Sequence, residues 1–211
     1  MNERRHPRIS RAWRESLGIL RHVDRSVTTQ GALAQIGSEL PLVARRALEA
    51  LVRGKPGSVV PVGPPAAVFV TLRSRDGSLR GCVGSTRPVT PTVAEETARS
   101  ATLAATRDPR FPEVSEAELG SLAIEVSVLL PAEPVLGLAE LAPDRYGVIV
   151  REEAGSRQGL LLPGIDGIVD AATQVAVARQ KAGLAEHVPV VLSRFEVLKF
   201  KETAAKPGSR G

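Results

Sequence analysis

Residues 67–84 read AVFVTLRSRDGSLRGCVG, and this stretch decides the fold class. Two runs of alternating side chains flank Asp76-Gly77, a dipeptide suited to the positive φ angles of a tight hairpin turn. The pattern predicts strands over 67–75 and 78–84. A two-residue turn sets Arg75 opposite Ser78, Arg73 opposite Arg80, Thr71 opposite Cys82 and Phe69 opposite Gly84. Alternation then collects Val68, Val70, Leu72, Leu79 and Val83 on a core face. Cys82, Arg80, Arg73 and Thr71 fall together on the other.

Working outward, upstream signals predict a helix that begins near Ser38 as N-cap. Pro41 sits in its first turn, Leu40, Ala44, Ala47, Leu48 and Leu51 form one face, and Gly54 stops it. A Pro/Gly-rich link over 55–65 follows. Downstream, Thr90 to Arg107 reads as a helix whose Ala94, Ala98, Ala101 and Ala105 allow close packing on a sheet. Asp108-Pro109 ends it, because the residue before proline disfavours helix. Ser115 and Glu118 form a capping box. Leu122–Leu130 alternates as a strand, and a second hairpin spans Tyr146 to Leu162 around Ala154-Gly155-Ser156. Ile168 to Ala182 reads as a helix with Ile168, Ala172, Val175 and Arg179 on one stripe, closed by Gly183. One or two strands follow between Val188 and Phe200. Hairpins interspersed with helices point to an α+β fold with mainly antiparallel sheet.

Aromatics are 3% of the 211 residues against 43% hydrophobic, so the core has to be aliphatic. No run of roughly 18 apolar residues offers a membrane span, and no apolar stretch follows the N-terminal arginines as in a signal peptide. A single cysteine excludes an internal disulfide framework and agrees with a cytoplasmic location. The net charge of +5 and pI near 10.0 suggest nucleic acid, but the charge sits at the ends. Seven arginines lie within residues 1–25, and Lys206 and Arg210 in the tail, while residues 26–202 carry 19 basic against 20 acidic groups. Nucleic-acid binding therefore ranks behind the other readings. Ile9, Trp13, Leu17 and Leu20 fall at helical spacing. The expected organisation is a basic amphipathic extension over 1–37, a folded body over 38–202 and a tail over 203–211.

Most familiar enzyme signatures are absent: no CxxC, no HExxH, no Gly-rich phosphate loop and no GxSxG. The body holds one histidine, His187, so neither a metal centre nor a cofactor is expected. Chemistry is concentrated at Cys82. Two arginines beside a thiol favour thiolate, and the bare backbones of Gly81 and Gly84 permit approach by another molecule. The alternative is a cysteine acting as a small buried hydrophobe, with glycines that accommodate a bulge or a neighbouring helix. Spacing leaves both open.

Leu79–Gly84 resembles the LRGCxG signature of the AMMECR domain. Asp108-Pro109-Arg110-Phe111, the strand 122–130, Gly159–Pro163, Lys181–Leu184 and Phe200-Lys201-Glu202 match it in the same order, over roughly 38–202. The resemblance implies two intimately joined subdomains and members without an established activity. It also implies partners: component A of the AmmeMemoRadiSam system is associated with a MEMO-like protein and a radical S-adenosylmethionine (SAM) enzyme. The chain has no CxxxCxxC and no room for a fused MEMO-like domain, so it resembles a stand-alone member. Two functions follow. One is an adaptor whose hairpin is a recognition surface. In the other Cys82 acts as nucleophile, carrier or redox thiol, with Arg80 and Arg73 holding thiolate or an anionic substrate. Asp108 and Arg110 line the same cleft in that reading, or form a structural pair closing the loop, and Glu202 is the candidate acid/base.

Overall fold

In a computed structural model describing residues 29–55 and 57–202, the predicted hairpin is one edge of the first of two antiparallel sheets. Its strands are β1 (Ala67–Arg73), β2 (Leu79–Gly84), β3 (Ala123–Leu129) and β8 (Val197–Lys201), in the order β2-β1-β3-β8. The second sheet runs β4-β7-β5-β6, from β4 (Glu133–Val135), β5 (Gly147–Glu152), β6 (Gln158–Leu161) and β7 (Val190–Phe195). Helices α1 (Leu40–Val52), α2 (Val93–Thr106) and α3 (Glu116–Leu119) belong to the first sheet, and α4 (Ala171–Lys181) to the second. The chain crosses between the sheets twice, from β3 into β4 and from β7 into β8, so neither half is a separable domain. This is the expected α+β fold with two joined halves.

The main core is aliphatic. Val68, Val70 and Leu72 of β1 and Ile124, Val126 and Val128 of β3 pack under Leu40, Ala44 and Leu48 of α1 and Ala101, Ala104 and Ala105 of α2. Alanines on α2 let its backbone approach the sheet closely. A second core joins Val148, Val150 and Leu161 to Val175 and Ala178 of α4. Phe69, Ala67 and Leu129 meet Phe195, Ile149, Leu160 and Leu162 where the two sheets touch.

Four local expectations change. Residues 29–36 are helical, and Leu33 among them is 1% exposed in the main core, so the folded body takes in residues upstream of Ser38. Ser38 lies in a 3-10 turn, Gly37–Glu39, that leads into α1, and it caps nothing. The hairpin turn also differs. Gly77 N–H donates to Ser74 O and Ser74 N–H to Ser78 O, while Gly77 takes φ +86°. The expected pairs Phe69↔Gly84 and Thr71↔Cys82 hold, but the longer turn shifts the register beyond Leu72↔Gly81, so that Arg73 faces Leu79 and Arg80 is the extra residue of a bulge. Leu79 therefore leaves the core face. In α4 Val175 of the predicted stripe is buried and Ile168 packs against the same core, but Ala172 is exposed and Gln174 and Ala178 are buried instead, Gln174 turning inward to donate Nε2 to Tyr146 O at 2.7 Å.

The amphipathic stripe of Ile9, Trp13, Leu17 and Leu20 and the tail from Thr203 lie outside the described residues. Among those described, no helix is long and apolar enough to cross a membrane.

Candidate functional site

The site is built on an edge. Among the described residues β2 pairs only with β1, so the outer backbone groups of Cys82 need another partner. Asp108 supplies it: Oδ2 accepts the Cys82 N–H at 2.8 Å. Pro109 ends α2 just where that carboxylate has to turn to the sheet. Arg110 closes the loop, donating its own N–H, Nε and Nη2 to Asp108 at 3.2, 2.9 and 2.7 Å. The Arg110 guanidinium holds the Asp108 carboxyl well below the usual carboxylate range, outweighing burial, and the Cys82 N–H adds to the effect. Two guanidinium groups stand over the Phe111 ring, Arg110 at 5.5 Å and Arg80 at 5.8 Å from its centre. The two strongest sequence motifs are thus one latch along a sheet edge.

Arg80 is drawn into this latch and away from Cys82. It is 9% exposed, donates Nε and Nη2 to Glu118 at 2.8 and 3.3 Å, and reaches Pro112 O and Glu113 O at 3.0 and 3.4 Å. The Arg80 guanidinium pulls the Glu118 carboxyl down to about 2. The bulge is the reason: one extra residue rotates Arg80 out of the row it was expected to share with Cys82.

The glycines are also accounted for internally. A Cβ on Gly81 would lie 2.4 Å from Ala104 O of α2, and one on Gly84 2.2 Å from Val68 O. Close packing within the chain, rather than access for another molecule, excludes side chains there. Arg73 is exposed at the hairpin end and donates to Gly77 O at 3.0 Å. Glu202 lies across the sheet, on the side of α1. Its carboxylate takes Nε and Nη2 of Arg45 at 2.8 and 2.6 Å, while the same guanidinium holds Leu119 O and Leu122 O. Glu202→Ala is expected to cost about 1.5–3 kcal/mol, the range for hydrogen bonds to charged groups, measured by urea unfolding.

What does share a face with Cys82 follows from register. Cys82, Thr71, Glu125 and Lys201 form one row across β2, β1, β3 and β8. Gly84, Phe69, Ser127 and Lys199 form the next. Cys82 is half-buried, and Thr71 Oγ1 donates to its Sγ at 3.4 Å. Lys201 Nζ stands 3.7 Å from Glu125, and Lys199 Nζ donates to Pro163 O at 3.2 Å. His187 is exposed in the turn before β7. Among the described residues, no three His, Cys, Asp or Glu side chains converge as metal ligands.

Sequence reading missed Arg45 and Glu96. Glu96 is fully buried and organises the turn that follows β2, accepting from Ser85 Oγ, the N–H groups of Val89 and Thr90, Thr90 Oγ1 and Arg99. No local signal distinguishes it from Glu95, which closes a capping box with Thr92.

The family model described as AMMECR1 matches residues 22–204. A Thermotoga maritima protein is 47% identical over 137 residues, covering 64% of this chain and 78% of that protein. A Clostridium acetobutylicum protein is 40% identical over 136 residues, covering 64% of this chain but 28% of its own length. The crystal structure of an uncharacterized Pyrococcus horikoshii protein superimposes with TM-score 0.69 at 34% identity, covering 80% of this chain and 92% of that one.

Proposed function

The chain belongs to the AMMECR1 family, and from that premise we propose that it is a binding module serving a MEMO-like protein and a radical SAM enzyme rather than a catalyst. The observation that carries the reading is the saturation of the charged groups near Cys82. Asp108 is occupied by Cys82 and Arg110, and Arg80 by Glu118 and two carbonyls. The Arg45 guanidinium likewise occupies Glu202. A nucleophilic thiol needs a base or an uncommitted cation beside it, and these groups are committed to holding loops. They frame a sheet face that is covered at Thr71 and Ser127 but exposed along its rims at Arg73, Lys199 and Lys201, where a partner can be recognised.

The second reading, a Cys82-dependent enzyme or thiol carrier, is favoured by one contact, the Thr71 hydroxyl on a half-buried sulfur. Nucleic-acid binding has less support, since residues 26–202 carry 19 basic against 20 acidic groups.

The test mixes the full chain with the MEMO-like and radical SAM proteins of the same genome and follows complex formation by titration calorimetry. Wild type and Cys82→Ser are expected to bind at least one partner with affinities within about threefold, since the thiol lies beside the frame and holds none of it. Failure of the wild type to bind either partner would overturn the proposal. So would a system that keeps its complex yet loses its product with Cys82→Ser, which transfers the role to the thiol.

A further inference from the structure

Among the described residues, the opposite edge of the same sheet is open, and β8 pairs with β3 alone. Glu202 N–H donates to Ile124 O and Leu130 N–H to Glu196 O, which sets the alternation of the ladder. Leu198 and Phe200 therefore turn their backbone groups toward β3, and Val197, Lys199 and Lys201 turn theirs outward. Within the described residues nothing hydrogen-bonds those outward groups. The side chains also alternate. Lys199 and Lys201 are themselves exposed, at the rim of the face that carries Cys82, while Leu198 and Phe200 pack partly buried against the main core.

We propose that β8 is a docking edge for an extended acidic segment of a partner protein, which adds as a strand with acidic side chains beside Lys199 and Lys201. This rests on the binding-module reading and names the chemistry of the partner. Two physical arguments select that occupant. Alternate residues of a strand are about 6.7 Å apart, so an added strand bearing Glu or Asp at every second position sets each carboxylate beside a lysine. Its intervening residues fall beside Leu198 and Phe200 and are therefore apolar. A second copy of β8 is disfavoured, because antiparallel self-pairing brings lysine against lysine. The lysines that repel a copy of this chain attract a strand of opposite charge. Lys199 pairs with no carboxylate among the described residues, and its present contact is the Pro163 carbonyl. Lys201 has one at 3.7 Å and is 77% exposed, so both have donors to spare.

The probe is a fluorescein-labelled nine-residue peptide of alternating valine and glutamate, followed by anisotropy on the full chain. Binding is expected to weaken at least about tenfold for Lys199→Glu/Lys201→Glu and to fall with added salt. A peptide N-methylated at alternate residues, the ones whose amides would face β8, keeps its charge but cannot complete the ladder, and is expected to lose at least about tenfold. Equal binding of the N-methylated peptide reduces the effect to charge attraction and overturns strand addition. Failure of the unmodified peptide to bind, or equal binding of a valine–lysine peptide, overturns it too. Lys199→Gln/Lys201→Gln, checked for an unchanged unfolding midpoint, guards against a loss caused by misfolding. Should the edge fail while the calorimetric complex forms, the module reading stands and only this surface is withdrawn.

Discussion

Glu96→Ala is expected to destabilise the fold by about 3–5 kcal/mol, the range for removing one partner of a buried charged network. For a chain of this size that lowers the unfolding midpoint by roughly 10 °C. The carboxylate is fully buried at the start of α2, and it satisfies the N–H groups of Val89 and Thr90 and the hydroxyls of Ser85 and Thr90 at once. Alanine removes the one carboxylate that these four donors share. Glu96→Gln keeps the shape but turns one acceptor into a donor, so an intermediate loss is expected. The pH dependence has a definite sign. Burial raises the Glu96 carboxyl, but the Val89, Ser85 and Thr90 donors together more than offset it and leave it below its ordinary 4.5. A group depressed in the folded state stabilises fully above its unfolded value and loses that contribution as pH falls through its folded one. Wild type should therefore lose stability steadily below about pH 4.5, reinforced by Asp108 and Glu118. Glu96→Gln should show a shallower acid limb. An unchanged limb would mean that Glu96 does not carry the acid sensitivity.

The second large effect is at Gly81. Gly81→Ala puts a Cβ 2.4 Å from the carbonyl of Ala104, a backbone atom that cannot swing aside. Relief requires α2 to move off β2, at a cost of about 2–3 kcal/mol by the usual toll of overpacking, and Gly81→Val should cost more. Gly120→Ala is the control. It has open space around its Cβ position and a helical backbone at φ −68°, so it should be neutral or slightly stabilising. Urea midpoints of the three proteins decide the matter. An equal, small loss at both glycines would mean that the helix–sheet contact is looser than its geometry.

Much of the fold was legible because its signals are local. Alternation over 67–84 and 122–130, glycine stops at Gly54 and Gly183, and the capping box at Ser115 and Glu118 act through neighbours along the chain. The site was legible only in part. Asp108 and Arg110 pair two residues apart, so the turn motif itself suggested a structural role. The departure at Arg80 came from a turn one residue longer than Asp76-Gly77 implies, and a single bulged residue suffices to change its side.

By itself the sequence determined the class of fold, the hairpins, the aliphatic character of the core and the nearly neutral body. These depend on backbone geometry and hydrophobic periodicity, which need no knowledge of distant partners. Only the tertiary structure decided that Cys82 is latched by Asp108, that Arg80 serves Glu118 and that Glu202 belongs to Arg45. It alone placed β8 at the edge of its sheet among the described residues. Those pairings join residues 26, 38 and 157 positions apart. Which charge meets which is settled when sheets and helices close around one core, because a buried charge takes whichever partner that packing brings within hydrogen-bond reach.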